Sequence, residues 1–203
     1  MPTTQTQAPE AMVDHNAAKA IVTGHCADPF AQLGLQDRGA GLLLTVFVPG
    51  ADTVKVLTAK VEADMTALPD YPGLFVASLP KRPKTYRLRA SAQGHTWEFD
   101  DPYAFGPVLT DDDIYYLGEG THQRLWDALG AHVMEHEGVR GTRFAVWAPN
   151  AQRVSVVGDF NLWDGRRAPM RKRGGGVWEI FMPGMGPGDV YKYEIVGING
   201  ARL

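Results

Sequence analysis

Cysteine and long apolar runs are both scarce in this sequence. Cys26 is the only cysteine among 203 residues, which excludes a disulfide within the chain and leaves too few thiolates for a structural zinc site. The longest apolar run, from Leu42 to Val48, contains a threonine and is far too short to span a membrane. Residues 1–10 lack the basic start and apolar stretch of a signal peptide. We therefore expect a soluble, cytoplasmic protein without a membrane partner.

The chain also has no large excess of positive or negative charge. The chain carries 20 basic and 23 acidic residues and has a pI near 6.1, so no overall field attracts it to nucleic acid. A local basic cluster between Arg166 and Arg173 follows Trp163, and bases could stack on this indole while the guanidinium groups contact phosphates. Asp159 and Asp164 oppose that interpretation and favour a solvated or partner-facing surface. We expect no nucleic-acid partner.

The residues that commonly carry catalysis or bind metals lack a suitable setting. Adjacent carboxylates occur at Asp100–Asp101 and Asp111–Asp113, but in a segment rich in proline and glycine they are typical of turns and helix caps. His132 and His136 have the spacing of helical metal ligands, yet glycines enclose them on both sides, which favours solvated loop histidines. No serine lies in a strand-turn-helix nucleophile elbow. We therefore expect no catalytic residue, no metal and no cofactor.

The same β-rich pattern occurs twice in the chain. Residues 44–56 align without gaps on residues 144–156, an offset of 100 residues in which Pro49 matches Pro149. Farther along, Gly73 matches Gly176, as expected where loops differ in length. The repeat predicts two tandem domains of about 100 residues, each large enough to bury a modest core.

The second copy is shorter than the first at its end. After Gly94 the first copy continues through His95–Phe99, whereas Gly200 is followed only by Ala201–Leu203. We therefore expect the second domain to be truncated at its last strand.

Short strands separated by glycine and proline turns are predicted in both copies. In the second copy, apolar positions that recur with the period of a strand are Phe144, Val146, Ala148, Val154, Val156, Trp178, Ile180, Met182, Tyr191, Tyr193 and Ile195. In the first of these strands, the alternation places Arg143 and Ala145 on the opposite face. The pattern predicts an all-β fold of two tandem immunoglobulin-like β-sandwiches joined by a linker.

Two short helices complete the prediction. One lies within Ala11–Val22 and precedes Gly24, which can supply a left-handed cap. The other spans His122–Leu129 in the linker, with Thr121 as its N-cap and Gly130 as its end. Its apolar residues, which are expected to pack on a sandwich, are Leu125, Trp126 and Leu129.

The predicted boundaries are a disordered tail at 1–10, the first sandwich with its leading helix at 11–108, the linker at 109–132 and the truncated second sandwich at 133–203.

The loop at residues 158–165 contains aromatic residues that the corresponding segment of the first copy lacks. Phe160 and Leu162 are predicted to plug the sandwich edge. Trp163 can present a flat apolar face to a glucose ring, while an amide such as that of Asn161 hydrogen-bonds the sugar hydroxyls. An equally favoured alternative is that Trp163 packs against a neighbouring domain.

Longer motifs in the chain show a specific similarity. They are Asp101–Pro107, Gly118–His122, Leu129–His132, Gly141–Ala151 and Val154–Gly165. In these motifs the chain resembles the amino-terminal half of bacterial glycogen branching enzymes. Asp28–Phe30 together with Leu33–Gly34 extends the similarity to about residue 15.

This resemblance implies an extra amino-terminal β domain, then a carbohydrate-binding module of family 48, then a catalytic (β/α)8 barrel of the α-amylase superfamily that is missing here. Members of the family use carboxylates at the ends of the barrel strands, and no residue of this chain matches those motifs. Trp163 matches the first platform tryptophan of the module, and Lys192 matches the lysine that contacts sugar hydroxyls. A second platform tryptophan would fall near Asn199–Ala201, where no aromatic residue occurs.

The expected function is that of the non-catalytic amino-terminal portion of a 1,4-α-glucan branching enzyme in glycogen biosynthesis. This portion would bind or position α-glucan, such as glycogen or a starch-like polymer, and would brace the catalytic barrel. Alone, it is not expected to form branches. The alternative is a purely structural protein-docking module without affinity for glucan.

Overall fold

The structure, a computed structural model, describes residues 8–202, so most of the predicted tail at 1–10 lies outside the described residues. The chain divides into two compact units. Of the described residues, unit 1 comprises those up to His25 together with Phe30–Ala104, and unit 2 comprises Cys26–Pro29 together with those from Phe105 onwards. Each unit is built from antiparallel β-sheets, which confirms the predicted all-β class and the two β-sandwiches. Within the described range, no helix has the length and apolarity needed to cross a bilayer.

In unit 1, two four-stranded sheets enclose the core. The helix is α1 (His15–Thr23), and the strands are β1 (Gly34–Asp37), β2 (Leu42–Phe47), β3 (Thr53–Thr58), β4 (Glu62–Asp64), β5 (Thr66–Ala67), β6 (Leu74–Leu79), β7 (Tyr86–Ala92) and β8 (His95–Phe99). One sheet has the order β1-β2-β6-β5 and the other β4-β3-β7-β8. Leu44 and Val46 of β2 pack with Val54 and Val56 of β3 because these strands belong to opposite sheets.

The leading helix ends as predicted but begins later. Gly24 caps α1 in the left-handed conformation, with φ of 74°, as its sequence position indicates. Pro9–Met12 forms a separate 3-10 turn. The helix begins at His15 because the Asp14 carboxylate accepts hydrogen bonds from backbone N–H groups of the first turn, at 2.9 and 3.2 Å.

In unit 2, a four-stranded sheet faces a two-stranded one. The elements are α2 (Asp111–Glu119), α3 (Leu125–Ala128), β9 (Gly130–His136), β10 (Val139–Trp147), β11 (Ala151–Gly158), β12 (Arg171–Lys172), β13 (Val177–Pro183) and β14 (Tyr191–Gly197). One sheet has the order β12-β13-β10-β9, and the other pairs β11 with β14. Phe144 of β10 contacts Tyr191 of β14, with ring centroids 4.7 Å apart, so these side chains lie between the sheets.

The internal repeat is confirmed by matching contacts in the two units. A Cβ atom on Gly73 would lie 2.7 Å from Pro49 Cα, and one on Gly176 would lie 2.7 Å from Pro149 Cα. The backbone N–H of Val48 donates to Gly73 O at 2.7 Å, and that of the matching residue, Ala148, donates to Gly176 O at 2.8 Å. Both glycines also have positive φ, so the position that precedes β6 and β13 and packs against this proline requires glycine.

The two faces of β10 do not alternate between buried and exposed as the sequence suggests. Arg143 and Ala145, predicted on the opposite face from Phe144, are also buried. Ala145 belongs to an apolar cluster with Leu117 of α2 and Ala128 of α3. The segment that the sequence assigns to a linker therefore covers the outer face of this sheet.

The linker helices differ from the single helix predicted at His122–Leu129. Thr110 and Asp113 form a capping box, which starts α2 at Asp111, and Gly120 ends it with φ of 70°. The carboxylates of the first turn also stabilise the N-terminal end of the helix dipole, so their predicted role as cap residues is confirmed. The prediction of Thr121 as an N-cap is wrong, because the second helix begins only at Leu125.

The predicted packing of the linker's apolar residues is only partly correct. Leu129 lies against the apolar cluster on the outer face of β10. Leu125 is 48% exposed and Trp126 is 68% exposed. The helix α3 comprises only Leu125–Ala128 and ends before Leu129, so the predicted helical face of three apolar residues does not form.

A buried carboxylate attaches the linker to the sheet. Glu179 of β13 pairs with Ala145 and is 2% exposed, so it lies on the covered outer face. Its Oε2 accepts hydrogen bonds from the backbone N–H groups of Val108, at 3.2 Å, and Leu109, at 3.0 Å. Its Oε1 forms an ion pair with Arg173, whose guanidinium also donates to Leu109 O at 3.2 Å.

Asp101 is a second buried carboxylate, in unit 1. It is 3% exposed, accepts a hydrogen bond from the Tyr86 hydroxyl at 2.6 Å and accepts another from the backbone N–H of Tyr103 at 3.0 Å. Burial raises the pKa of Asp101 to about 6, although both hydrogen bonds favour the ionised form.

Replacement of Glu179 by alanine should lower the free energy of unfolding of unit 2 by about 3–5 kcal/mol, because the mostly buried Arg173 then loses its buried partner. Urea denaturation measures this change, and hydrogen exchange should show lost protection at the amides of Val108 and Leu109. The matched control is Asp111→Ala, which removes the fully exposed carboxylate paired with the same arginine and should have little effect. Equal effects of the two substitutions would contradict the assigned role.

The free energy of unfolding of unit 1 should fall as pH rises from about 4 to about 6, since native Asp101 binds a proton in this range that the unfolded chain has released. The shift from 3.8 to about 6 corresponds to about 3 kcal/mol. Asp101→Asn cannot titrate and should lack this contribution. Denaturation curves of both proteins between pH 4 and 7 test it. A difference between them that does not change with pH would refute the assignment.

Candidate functional site

The candidate site is the loop that follows β11. It begins at Gly158, where a Cβ atom would overlap the backbone O of Val190 and the ring of Phe160. A 3-10 turn spans Asp159–Asn161, and Leu162 and Trp163 follow with φ of 58° each. The left-handed conformation is unfavourable for residues other than glycine, and such backbone strain often occurs at functional positions.

Asn161, predicted to contact sugar hydroxyls, is used inside the loop. It is 5% exposed. Its Oδ1 accepts a hydrogen bond from the backbone N–H of Gly158 at 3.0 Å, and its Nδ2 donates to Val156 O at 2.8 Å. The amide therefore fixes the loop to the end of β11 instead of facing solvent.

Trp163 is exposed and fixed in orientation. Its indole Nε1 donates to Asp159 Oδ1 at 2.8 Å, and its backbone N–H donates to Gly158 O at 2.9 Å. The side chain is 42% exposed. The sequence did not identify Asp159 as a positioning residue, although its place four residues before the tryptophan in a short turn is the signal that could have indicated it.

The other apolar residues of the loop are exposed as well. Phe160 is 38% exposed and Leu162 is 73% exposed, so the prediction that they plug the sandwich edge is wrong. Val190, whose backbone lies beside Gly158, is also exposed.

Lys192 lies on β14 close to the origin of this loop. The register pairs Tyr191 with Gly158 and Lys192 with Val157, and the Lys192 side chain is exposed. Glu194, two residues farther along the same face of β14, would overlap a Cβ atom on Gly165. The loop therefore begins beside Tyr191 and ends against Glu194, on the face that carries Lys192.

The basic cluster between Arg166 and Arg173 is engaged in internal contacts. Arg166 donates to both carboxylate oxygens of Asp164, at 2.9 and 2.7 Å. Burial alone would raise the pKa of Asp164, but the hydrogen bonds from Arg166 outweigh it and lower the pKa below its ordinary value. Arg171 donates to Phe105 O at 3.0 Å, and Arg173 pairs with buried Glu179. The prediction of a solvated or partner-facing surface is therefore wrong for these last two arginines.

The two histidines considered as metal ligands lie on a strand. His132 and His136 belong to β9, so the predicted loop is wrong. Their Nε2 atoms lie 2.9 Å from Leu129 O and 3.1 Å from Gly106 O, respectively. Among residues 8–202, no group of three or more His, Cys, Asp and Glu side chains is placed to hold a metal ion.

Two sequence families match the chain. Residues 14–103 match the family described as alpha-1,4-glucan branching enzyme GlgB, N-terminal domain. Residues 128–203 match Carbohydrate-binding module 48 (Isoamylase N-terminal domain). The second range contains β10, β11, the loop and β14, so the candidate site lies in a carbohydrate-binding module.

Curated relatives resemble almost the whole chain. The 1,4-alpha-glucan branching enzyme GlgB of Roseobacter denitrificans is 53% identical over 94% of this chain, and that of Mesorhizobium japonicum is 50% identical over 99%. The chain spans 27% and 28% of their lengths, respectively. It belongs to the family of 1,4-alpha-glucan branching enzymes and corresponds to the N-terminal part of its members, which confirms the resemblance seen in the sequence.

Solved structures resemble the chain only distantly. The crystal structure of pullulanase type I from Bacillus subtilis str. 168 complexed with maltose is 20% identical, with a TM-score of 0.31, over 80% of this chain and 22% of its own. A score this low carries no argument.

Asn161→Ala should lower the free energy of unfolding of unit 2 by about 1–3 kcal/mol, because Gly158 N and Val156 O then lose their partners in a buried place. Urea denaturation measures the change. Asn150→Ala, at an exposed turn position, is the matched control and should leave the transition unchanged. If both variants unfold at the same urea concentration as the original chain, Asn161 does not fix the loop.

Proposed function

We propose that unit 2 binds α-glucan at Trp163, and that the chain serves as the non-catalytic N-terminal portion of a cytoplasmic 1,4-α-glucan branching enzyme in glycogen biosynthesis. The observation that carries this proposal is the exposed indole of Trp163, fixed by its hydrogen bond to Asp159 within a carbohydrate-binding module. A flat ring held in one orientation suits the apolar C–H face of a glucose unit. Because the ring is already ordered, little side-chain entropy is lost on binding.

Lys192 and Asn161 have different roles in this proposal. Lys192 is exposed on the face of β14 near the loop and donates hydrogen bonds to sugar hydroxyls. Asn161 acts as a positioning residue, since its amide is hydrogen-bonded to the backbone of Gly158 and Val156. Contact with one tryptophan and one lysine suits weak binding, with a dissociation constant on the order of millimolar, or about −4 kcal/mol, for a single chain end.

The role in the complete enzyme extends this proposal. The chain holds a glucan segment and braces a catalytic barrel of the α-amylase type. The barrel transfers an α-1,4-linked segment to a 6-hydroxyl and forms an α-1,6 branch. Weak sites of this kind become effective on a polymer, where several contacts act together.

A second candidate function is a protein-docking module without affinity for glucan. It is favoured by Leu125 and Trp126, which remain exposed on α3 although both are large and apolar. Exposed apolar side chains that lie together commonly mark a surface that another protein domain covers.

Electrophoresis of the 203-residue chain in native gels with and without glycogen tests the proposal. We expect glycogen to retard the chain, and Trp163→Ala to lose most of the retardation. Leu162→Ala is the matched control, since Leu162 has the same φ of 58° and is even more exposed, and it should be retarded like the original chain. Unchanged mobility of the intact chain in glycogen would support the docking module, and equal losses in both variants would indicate a damaged loop.

A further inference from the structure

A second exposed tryptophan in unit 2 shares two properties with Trp163. Trp147 is the last residue of β10 and is 57% exposed. Its indole Nε1 donates to Gly175 O at 3.0 Å, so a hydrogen bond fixes this ring as well. The matching residue of unit 1, Phe47, is only partly exposed and has no N–H group for such a bond. The fixed, exposed indole is therefore a feature of the carbohydrate-binding module and not of the repeat.

The turn that holds the Trp147 indole lies against α2. Gly175 belongs to a 3-10 turn of three glycines, and a Cβ atom on it would lie 2.9 Å from Gly118 Cα of α2. A Cβ atom on the neighbouring Gly174 would lie 3.1 Å from Ile114 Cγ2. The turn that fixes Trp147 therefore packs directly on α2.

Two exposed tyrosines lie on α2, the helix against which this turn packs. Tyr115 follows Ile114 and is 62% exposed, and Tyr116 is 48% exposed. Their rings meet edge to face with centroids 5.4 Å apart, which restricts the motion of both. Phenol hydroxyls both donate and accept hydrogen bonds, so they can pair with sugar hydroxyls, which do the same.

We infer that Trp147 and Tyr115 form a second α-glucan contact surface on unit 2. This inference rests on the proposed function and assigns a further site to the same polymer. The occupant is α-glucan because Trp147 lies in a carbohydrate-binding module and presents a fixed indole, the same feature that carries the proposal at Trp163. Trp126 is exposed too, but none of the hydrogen bonds found within residues 8–202 orients its indole.

The two surfaces lie at opposite ends of β11. Trp147 precedes the turn into this strand, and Trp163 belongs to the loop that leaves it. The strand has 8 residues. At about 3.3 Å per residue, its ends are about 25 Å apart. Each surface therefore contacts a different stretch of polymer, and a large branched glucan that engages both binds more tightly than a short chain that engages one.

Indole N–H resonances of the 203-residue chain, labelled with 15N-tryptophan and titrated with maltoheptaose, test the inference without altering the site. Each resonance is assigned from a single Trp→Phe variant. We expect the resonances of Trp147 and Trp163 to shift and saturate, and that of Trp147 to shift still in Trp163→Ala. The buried Trp178 is the internal control and should not move.

The outcomes distinguish the two proposals. A Trp163 resonance that saturates while that of Trp147 stays in place overturns the second surface and leaves the proposed function intact. If neither resonance moves, the proposed function fails and the inference fails with it.

Native gels with glycogen supply a second test. Trp147→Ala should weaken the apparent affinity several-fold, and the double variant with Trp163→Ala should weaken it further than either substitution alone. Val133→Ala, a substitution of an exposed apolar residue on β9, is the control and should be retarded like the original chain. A Trp147→Ala chain that is folded by circular dichroism and fully retarded overturns the inference. If that variant does not fold, the titration of the unaltered chain decides.

Discussion

Both sandwiches depend on the close approach of a glycine to a proline. Gly73 lies against Pro49, and Gly176 lies against Pro149, at separations that leave no room for a side chain. The contact fixes the turn through which the chain passes from one sheet to the other, from β2 to β3 in unit 1 and from β10 to β11 in unit 2. Because side chains alternate along a strand, the turn determines which residues of β11 face inward.

The two units share this glycine–proline contact but differ in what covers the outer faces of their sheets. In unit 2 the outer face of β10 is buried under α2 and α3, and the charged pair of Glu179 and Arg173 holds this cover in place. The hydrogen bonds of Glu179 to the backbone of Val108 and Leu109 satisfy groups that would otherwise be buried without partners. The helices of the linker therefore belong structurally to the second sandwich.

Features that depend on local sequence were predictable. The repeat, the strand periodicity and the cap at Gly24 follow from spacing and from the conformational freedom of glycine. Features that depend on distant partners were not predictable. The strand pattern places Arg143 on the outer face of β10. Only the structure shows that its guanidinium is covered by α3 and donates to Asp127 O at 2.7 Å. From the sequence, Asn161 is predicted to bind sugar. Only the structure shows that its amide hydrogen-bonds to the backbone of Gly158 and of Val156. Leu162 is exposed at a left-handed backbone position, which side-chain polarity does not reveal.

The bond between the Trp163 indole and Asp159 constrains the chemistry that this ring can perform. Its only polar hydrogen already has an acceptor, so the ring has no directional bond to offer a ligand. Contact through the remaining face depends on flatness and dispersion, which are nearly the same for every unit of a homopolymer. Under the proposed function, a glucan chain held in this way can advance by one repeating unit without breaking a specific interaction with the ring, so the surface would guide a polymer without fixing its register.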